Sequence, residues 1–209
     1  MPANVMVALS VVFVLVAGAI GGPLVAVLLA PILAFPLSGL FRLTGFIARG
    51  RDAVLSDVWT GWRTSWREIL LLGVTFMLAV LIFGTNVLVA ISVGDGVSVI
   101  IGVMAGWGLL GTWLYALLAW TILTDPDRVE INARERLRLA ALMAIAFPLR
   151  LVAFSLLVAA FLAISTALFA AILTVSLAFA ALVTCRYVLP AADRLSVRSG
   201  VAPSSATSD

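Results

Sequence analysis

Apolar side chains run along this chain in long blocks, separated by short polar stretches. Residues 1–41, 69–94, 96–124 and 151–185 carry no charged side chain. A helix rises 1.5 Å per residue, so about 20 apolar residues cross the roughly 30 Å hydrocarbon layer of a bilayer. Two of the blocks each predict one crossing, at 69–92 and 98–123. From Leu139 to Cys185 the only charge is Arg150, and a straight helix of that length would reach about 70 Å. The chain therefore has to turn, and a turn near Ala163–Thr166 gives spans at 145–163 and 167–188. The first block, 5–41, is also too long for one crossing, at about 55 Å. Its breakers are Gly21-Gly22-Pro23, Pro31 and Pro36, and proline both removes a backbone donor and disfavours helix at the residue before it. Three readings stay open: a hairpin of two short spans meeting at Gly22-Pro23, one span followed by a broken or re-entrant segment into Pro36, or a cleaved signal peptide. Ala17-Gly18-Ala19 resembles a cleavage site, but the basic segment that precedes one is missing.

The charges fall between these blocks with a clear bias. Five arginines lie in 42–68, five in 125–150 and three (Arg186, Arg194 and Arg198) at or beyond the end of the last span, which accounts for all 13 cations of the chain. The turns at 93–97 and 163–166 hold none, and the first carries Asp95. Cytoplasmic loops of membrane proteins are enriched in Lys and Arg. Loops 42–68 and 124–144 and the C-terminus are therefore expected on the cytoplasmic side of the cell membrane. Five spans would leave the N-terminus outside, six inside.

Composition agrees with this pattern and excludes much chemistry. Of 209 residues 64% are hydrophobic and 11% charged, against about half and a quarter in soluble domains; the mean hydropathy is +1.22. There is no His and a single cysteine, Cys185. That removes His-dependent acid–base chemistry, Ser–His and Cys–His nucleophiles, and haem or zinc sites with their usual ligands. No catalytic residue, cofactor or metal is expected, and no intrachain disulfide can form. The arginines sit at span ends and not among stacking aromatics on a soluble face, so a nucleic-acid partner is not expected either.

Three polar segments remain as candidates. In 52–69, Leu55, Trp59, Trp62, Trp66 and Ile69 recur at helical spacing, with Ser56 or Asp57 placed to cap the start. Trp rings favour the headgroup level, so the plain reading is an interfacial helix; the sharper one makes Trp59, Trp62, Arg63, Trp66 and Arg67 partner contacts. Residues 124–138 predict a second cytoplasmic amphipathic helix. It would open at Asp125-Pro126-Asp127, carry a Glu130–Arg134 pair, and set Arg134, Arg136 and Arg138 against anionic headgroups. Pro148 should kink or start a helix. Arg150 is either an intramembrane functional charge or a side chain that snorkels to the surface. Gly102 and Gly106 match a small-xxx-small packing pattern. Residues 1–190 form one polytopic domain, and 191–209 a disordered cytoplasmic tail.

The order of these segments resembles the YesL family of small membrane proteins. Ala34-Phe-Pro36-Leu-Ser-Gly-Leu-Phe-Arg42 is similar to that family's proline turn and helix. Ala48-Arg49-Gly50-Arg51-Asp52 and Val58-Trp59-Thr60-Gly61-Trp62-Arg63 are similar to its Arg-Gly-acid and aromatic helix segments. Tyr115–Trp120 resembles the end of one of its spans, and Phe147-Pro148-Leu149-Arg150 its His-Pro-x-Arg motif, with Phe147 in place of His. The likeness covers about residues 30–190. It implies a polytopic protein without defined catalytic residues, associated with carbohydrate use. The expected fold is an all-α integral membrane bundle of five or six transmembrane helices with two cytoplasmic amphipathic helices, in contact with the lipid bilayer. The expected function is a non-catalytic accessory component of carbohydrate uptake, partnering a sugar ABC importer. The rival is a small-solute transporter acting alone or as a homo-oligomer, with a polar cavity around Thr85, Asn86 and Arg150. The two differ in whether Asn86, Ser92, Thr112 and Arg150 converge inside the bundle.

Overall fold

The computed structural model describes residues 2–167 and 170–199, and the side chains of 5–164 and 176–198. These residues form helices α1 (Pro2–Gly21), α2 (Pro23–Leu29), α3 (Ala34–Ala48), α4 (Leu55–Val93), α5 (Gly96–Leu123), α6 (Ala133–Ala146), α7 (Pro148–Ala167) and α8 (Ala170–Ser199), with 3-10 turns at Ala30–Leu33 and Pro126–Arg128. No strand occurs among them. Four helices are long and apolar enough to cross a membrane, or five if a bent pair is one span. The architecture is compatible with a multi-pass membrane protein.

The first apolar block folds as a helical hairpin turning at Gly22-Pro23; Pro23–Ala48 is long enough to cross a membrane, and the apolar stretch Val5–Gly21 is shorter than that. Gly22 has φ 86°, a value natural to glycine, and Pro23 starts α2 where a missing N–H does no harm. α1 then packs in turn against α2, the 3-10 turn and α3. The approach is close: a Cβ on Gly18 would lie 2.7 Å from that of Ala26. The later prolines do not break the return strand of this hairpin. Pro31 sits early in the 3-10 turn and Pro36 in the first turn of α3, buried, so Pro23–Ala48 runs as one apolar segment of 26 residues.

α4 joins two predicted elements into one. Its 39 residues bend at Ser65 (φ −123°, ψ 22°), between Trp62 and Trp66 and ahead of the apolar run. The helix begins at Leu55 and not at 52, because Val54 is extended and its N–H is taken by the Asp57 carboxylate at 3.1 Å. Gly94 (φ 70°) closes α4, and Asp95 caps α5 by accepting from Ser98 N at 2.7 Å. Hydrogen bonds from Ser98 hold the Asp95 carboxyl below its usual range. Gly102 packs directly against Ala90 of α4, while nothing approaches Gly106, so only half of the small-xxx-small pattern is used.

The second polar segment departs from expectation. Pro126 opens only a 3-10 turn, and α6 starts afresh at Ala133 with the Asn132 side chain accepting from Arg134 N. α6 is amphipathic: Arg136, Leu139, Ala140 and Met143 are buried on one face while Arg134, Glu135 and Arg138 stay exposed, so Arg136 is withdrawn from the expected cationic cluster. No ion pair links Glu130 and Arg134 among the described residues. Pro148 does start a helix, and α6 and α7 meet there at 101°. The span expected at 145–163 therefore begins after the bend. α7 is helical to Ala167, so the turn placed at 163–166 is helix. α8 continues through 191–199, where a disordered tail was expected, because Val188, Leu189, Ala192 and Ser196 are buried in the bundle. The rest of that tail, 200–209, lies outside the described residues.

The core gathers at one end. Leu118, Ile122, Leu139, Ala140, Met143, Cys185, Val188 and Ala192 interlock where α3, α5, α6 and α8 meet. The far halves of α4 and α5 stay exposed at Leu88, Ile91, Val97, Ile100, Val103 and Met104. An apolar surface of that extent requires covering, which is compatible with helices set in a bilayer.

Candidate functional site

The packed end of the bundle carries a network of six charges. α3 ends at Arg49, Gly50 (φ 71°) reverses the chain, and Arg51 follows. Asp125, Asp127 and Arg128 come from the turn after α5, and Asp193 from the last two turns of α8. Arg49 grips Asp125 through both branches of its fork, Nε to Oδ1 at 2.9 Å and Nη2 to Oδ2 at 2.7 Å. It also donates to Asp193 at 3.2 and 3.3 Å and pairs with Asp127 at 2.9 Å. Arg128 bridges Asp125 (2.9 Å) and Asp193, and Arg51 pairs with Asp127 at 2.8 Å. Three arginines thus face three aspartates.

Burial makes this pairing necessary. The Asp125 side chain is fully covered and Arg128 is 2% exposed; isolated charges in such places would be very costly. Desolvation pulls the Arg49 guanidinium down, but the hydrogen bonds and charges of Asp125 and Asp193 outweigh it and hold Arg49 above its ordinary value. Beside the network, Arg136 donates to Leu123 O at 2.6 Å, at the negative end of α5, and to Glu68 at 3.0 Å. These contacts tie α3, α4, α5, α6 and α8 together. An open cavity of about 350 Å³ adjoins the network between Arg49, Arg51, Asp127, Arg186 and Asp193. Cys185 at its edge is buried against Thr44 Oγ1 at 3.4 Å. Among the described residues no cluster is built to hold a metal; the three aspartates are engaged by arginines.

The predicted tryptophan stripe divides in two. In the first half of α4 the buried positions are Val58, Gly61, Ile69 and Leu72, and Leu55 is exposed. Close approach to α3 sets this face: a Cβ on Gly39 would meet Val58 at 2.7 Å, and one on Gly61 would meet Arg42 at 2.7 Å. Trp62 turns inward, giving its Nε1–H to Phe35 O at 2.9 Å and meeting the Phe35 ring edge-on at 6.1 Å. Trp59 is 62% and Trp66 48% exposed, and Arg63 and Arg67 are exposed beside them. Arg67 lies 5.2 Å over the Trp66 ring. Phe35, Trp59, Trp62, Arg63 and Trp66 line a shallow hollow of about 410 Å³. Pro36 is buried and shapes α3 without reaching this surface.

Arg150 lies in the first turn of α7, exposed, on the rim of a second cavity beside α8. It does not enter the bundle. The other polar groups in the apolar helices bond to their own helix: Thr85 to Leu81 O, Asn86 to Ile82 O, Ser92 to Val89 O and Thr112 to Gly108 O. Reading the sequence missed the charge network: Asp125 looked like a helix start and Asp193 part of a tail. The usable signal was that Asp125 directly follows an apolar block and Asp193 lies among the arginines after the last one. No family model matches the chain, and no curated protein or solved structure matches it.

Proposed function

We propose that this protein is a multi-pass component of the cell membrane, with its charged end cytoplasmic, and that it serves as a non-catalytic accessory of carbohydrate uptake. In this reading Trp59, Trp66, Arg63 and Arg67 contact a membrane partner, the permease of a sugar ABC importer. The observation that carries it is the exposed Trp–Arg ridge on either side of the Ser65 bend, braced from beneath by Trp62. Exposed Trp and Arg are the residue types most enriched at interface hot spots. The likeness of residues 30–190 to carbohydrate-associated membrane proteins supplies the substrate class. The rival reading, a transporter in its own right, needs convergent polar groups along a path. That Thr85, Asn86, Ser92 and Thr112 each bond within their own helix favours the accessory role.

Affinity purification from native membranes in mild detergent, followed by mass spectrometry, tests it. Recovery of a sugar importer's permease or ATPase is expected, falling at least tenfold for W59A/W66A. Recovery of the protein alone, together with sugar or solute uptake by proteoliposomes containing only this chain, would overturn it in favour of the transporter.

A further inference from the structure

The geometry points to a binding site for an anionic phospholipid between α7 and α8, with its headgroup phosphate held by Arg150, Arg186, Arg194 and Arg198. These four arginines line a cavity of about 700 Å³, and among the described residues its lining holds no carboxylate. None of the four is among the ion pairs of the described residues. Arg49, Arg51, Arg128 and Arg136, by contrast, have acidic partners, and what sets the four apart from the other unpaired arginines is that they share one cavity. Arg194 and Arg198 stand one turn apart on α8, where like charges repel. Arg150 adds its charge in the first turn of α7, near the positive end of that helix. A phosphate-bearing ligand relieves this repulsion, and the planar guanidinium fork suits phosphate oxygens.

A second observation selects a lipid over a soluble phosphate. Below the arginines, Phe154 and Tyr187 stack across the two helices at 4.6 Å and 10°. On the other side of this pair lies an apolar cavity of about 350 Å³, lined by Leu157, Val158, Phe161, Ile164, Phe179 and Val183 among others. Helical phase places the two cavities on one groove. Arg150, Phe154 and Val158 follow at four-residue steps on α7, as do Val183 and Tyr187 on α8. A cationic mouth continuing into an apolar trough matches a headgroup and its acyl chain. Basic pockets between transmembrane helices at the cytoplasmic side recognise such lipids. The inference rests on the membrane assignment and not on the importer partnership.

Native mass spectrometry of the detergent-solubilised protein, titrated with defined lipids, tests it. One phosphatidylglycerol or cardiolipin should bind saturably and at least tenfold more tightly than phosphatidylcholine, and R150Q/R194Q/R198Q should remove that preference. A control, R63Q/R67Q/R134Q, lowers the net charge equally and should leave the preference intact. V183F, which fills the trough, should weaken the long-chain lipid and spare glycerol phosphate. Equal binding of anionic and zwitterionic lipids, or equal loss in the control, would overturn the site while leaving the membrane assignment standing. Saturation by inorganic phosphate alone at the same concentration as lipid would replace it with a soluble-anion site. Binding of no lipid at all would overturn the membrane assignment as well.

Discussion

Asp125 accepts from two guanidiniums while fully withdrawn from the surface. Removing one member of a buried ion pair strands the other, at about 3–5 kcal/mol. Asp125→Ala should therefore destabilise the protein by about 3 kcal/mol or more, read as a fall in the thermal unfolding midpoint in detergent. Arg51→Ala touches the same network from its exposed edge, 56% open, and should cost less than about 1 kcal/mol. Equal losses from the two would show that burial does not govern the cluster. The pH dependence has a defined sign. Arg49 is held above its ordinary value, so its stabilisation is complete below that value and lost only as pH rises through the still higher folded one. Stability from this residue should stay flat across the neutral and mildly alkaline range. Trp62 differs from its neighbours in the same way that Asp125 differs from Arg51. Trp62→Phe removes the indole donor while Phe35 O keeps the Ser38 hydroxyl, and should cost about 0.5–1.5 kcal/mol, whereas Trp59→Phe should leave the unfolding midpoint unchanged.

At the scale of elements, close approach of helices decides which glycines matter. Gly39→Ala would drive a methyl into Val58, and overpacking of that kind costs about 1–3 kcal/mol. Gly84 has open space around its Cβ position, so Gly84→Ala should be neutral or stabilising through helix propensity. Unfolding midpoints of the two variants separate packing from propensity, and a loss at Gly84 equal to that at Gly39 would refute the α3–α4 contact. The same contrast explains what the sequence reveals. The α4–α5 hairpin was legible because Asp95 alone divides two uncharged blocks, and the structure puts a positive-φ glycine and a side-chain cap at that break. The hairpin at Gly22-Pro23 was legible as one of several readings, since Pro31 and Pro36 mimic breaks that a 3-10 turn absorbs. The buried face of α4 was not legible: the spacing of Leu55, Trp59, Trp62 and Trp66 fits one helical stripe, yet contact with Gly39 and Arg42 selects Val58 and Gly61 instead. The Arg49–Asp125–Arg128–Asp193 network joins residues up to 144 apart in the chain, and no local pattern announces a partner at that distance.

At the scale of the whole molecule, the proposed membrane placement assigns each element a side of the bilayer, and it can be tested by position. The charge network draws the ends of α3, α5 and α8 together, and Arg136 ties the α4 segment around Glu68 to them. The turn at Asp95 is the opposite end of α4 and α5. Because α1 doubles back on α2 and α3, the start of α1 also lies toward the charged end. Cys185 is buried and can be replaced by Ala to give a cysteine-free background. In intact cells a membrane-impermeant maleimide should then label Val97→Cys, which is exposed beside the Asp95 turn. It should label Arg63→Cys, Arg138→Cys and Val5→Cys only after permeabilisation. Reversed labelling would turn the molecule over and refute a cytoplasmic charged end. Labelling of Val5→Cys in intact cells, with the others as expected, would mean that α1 does not cross, and the N-terminal hairpin would then be packed at one face of the bilayer.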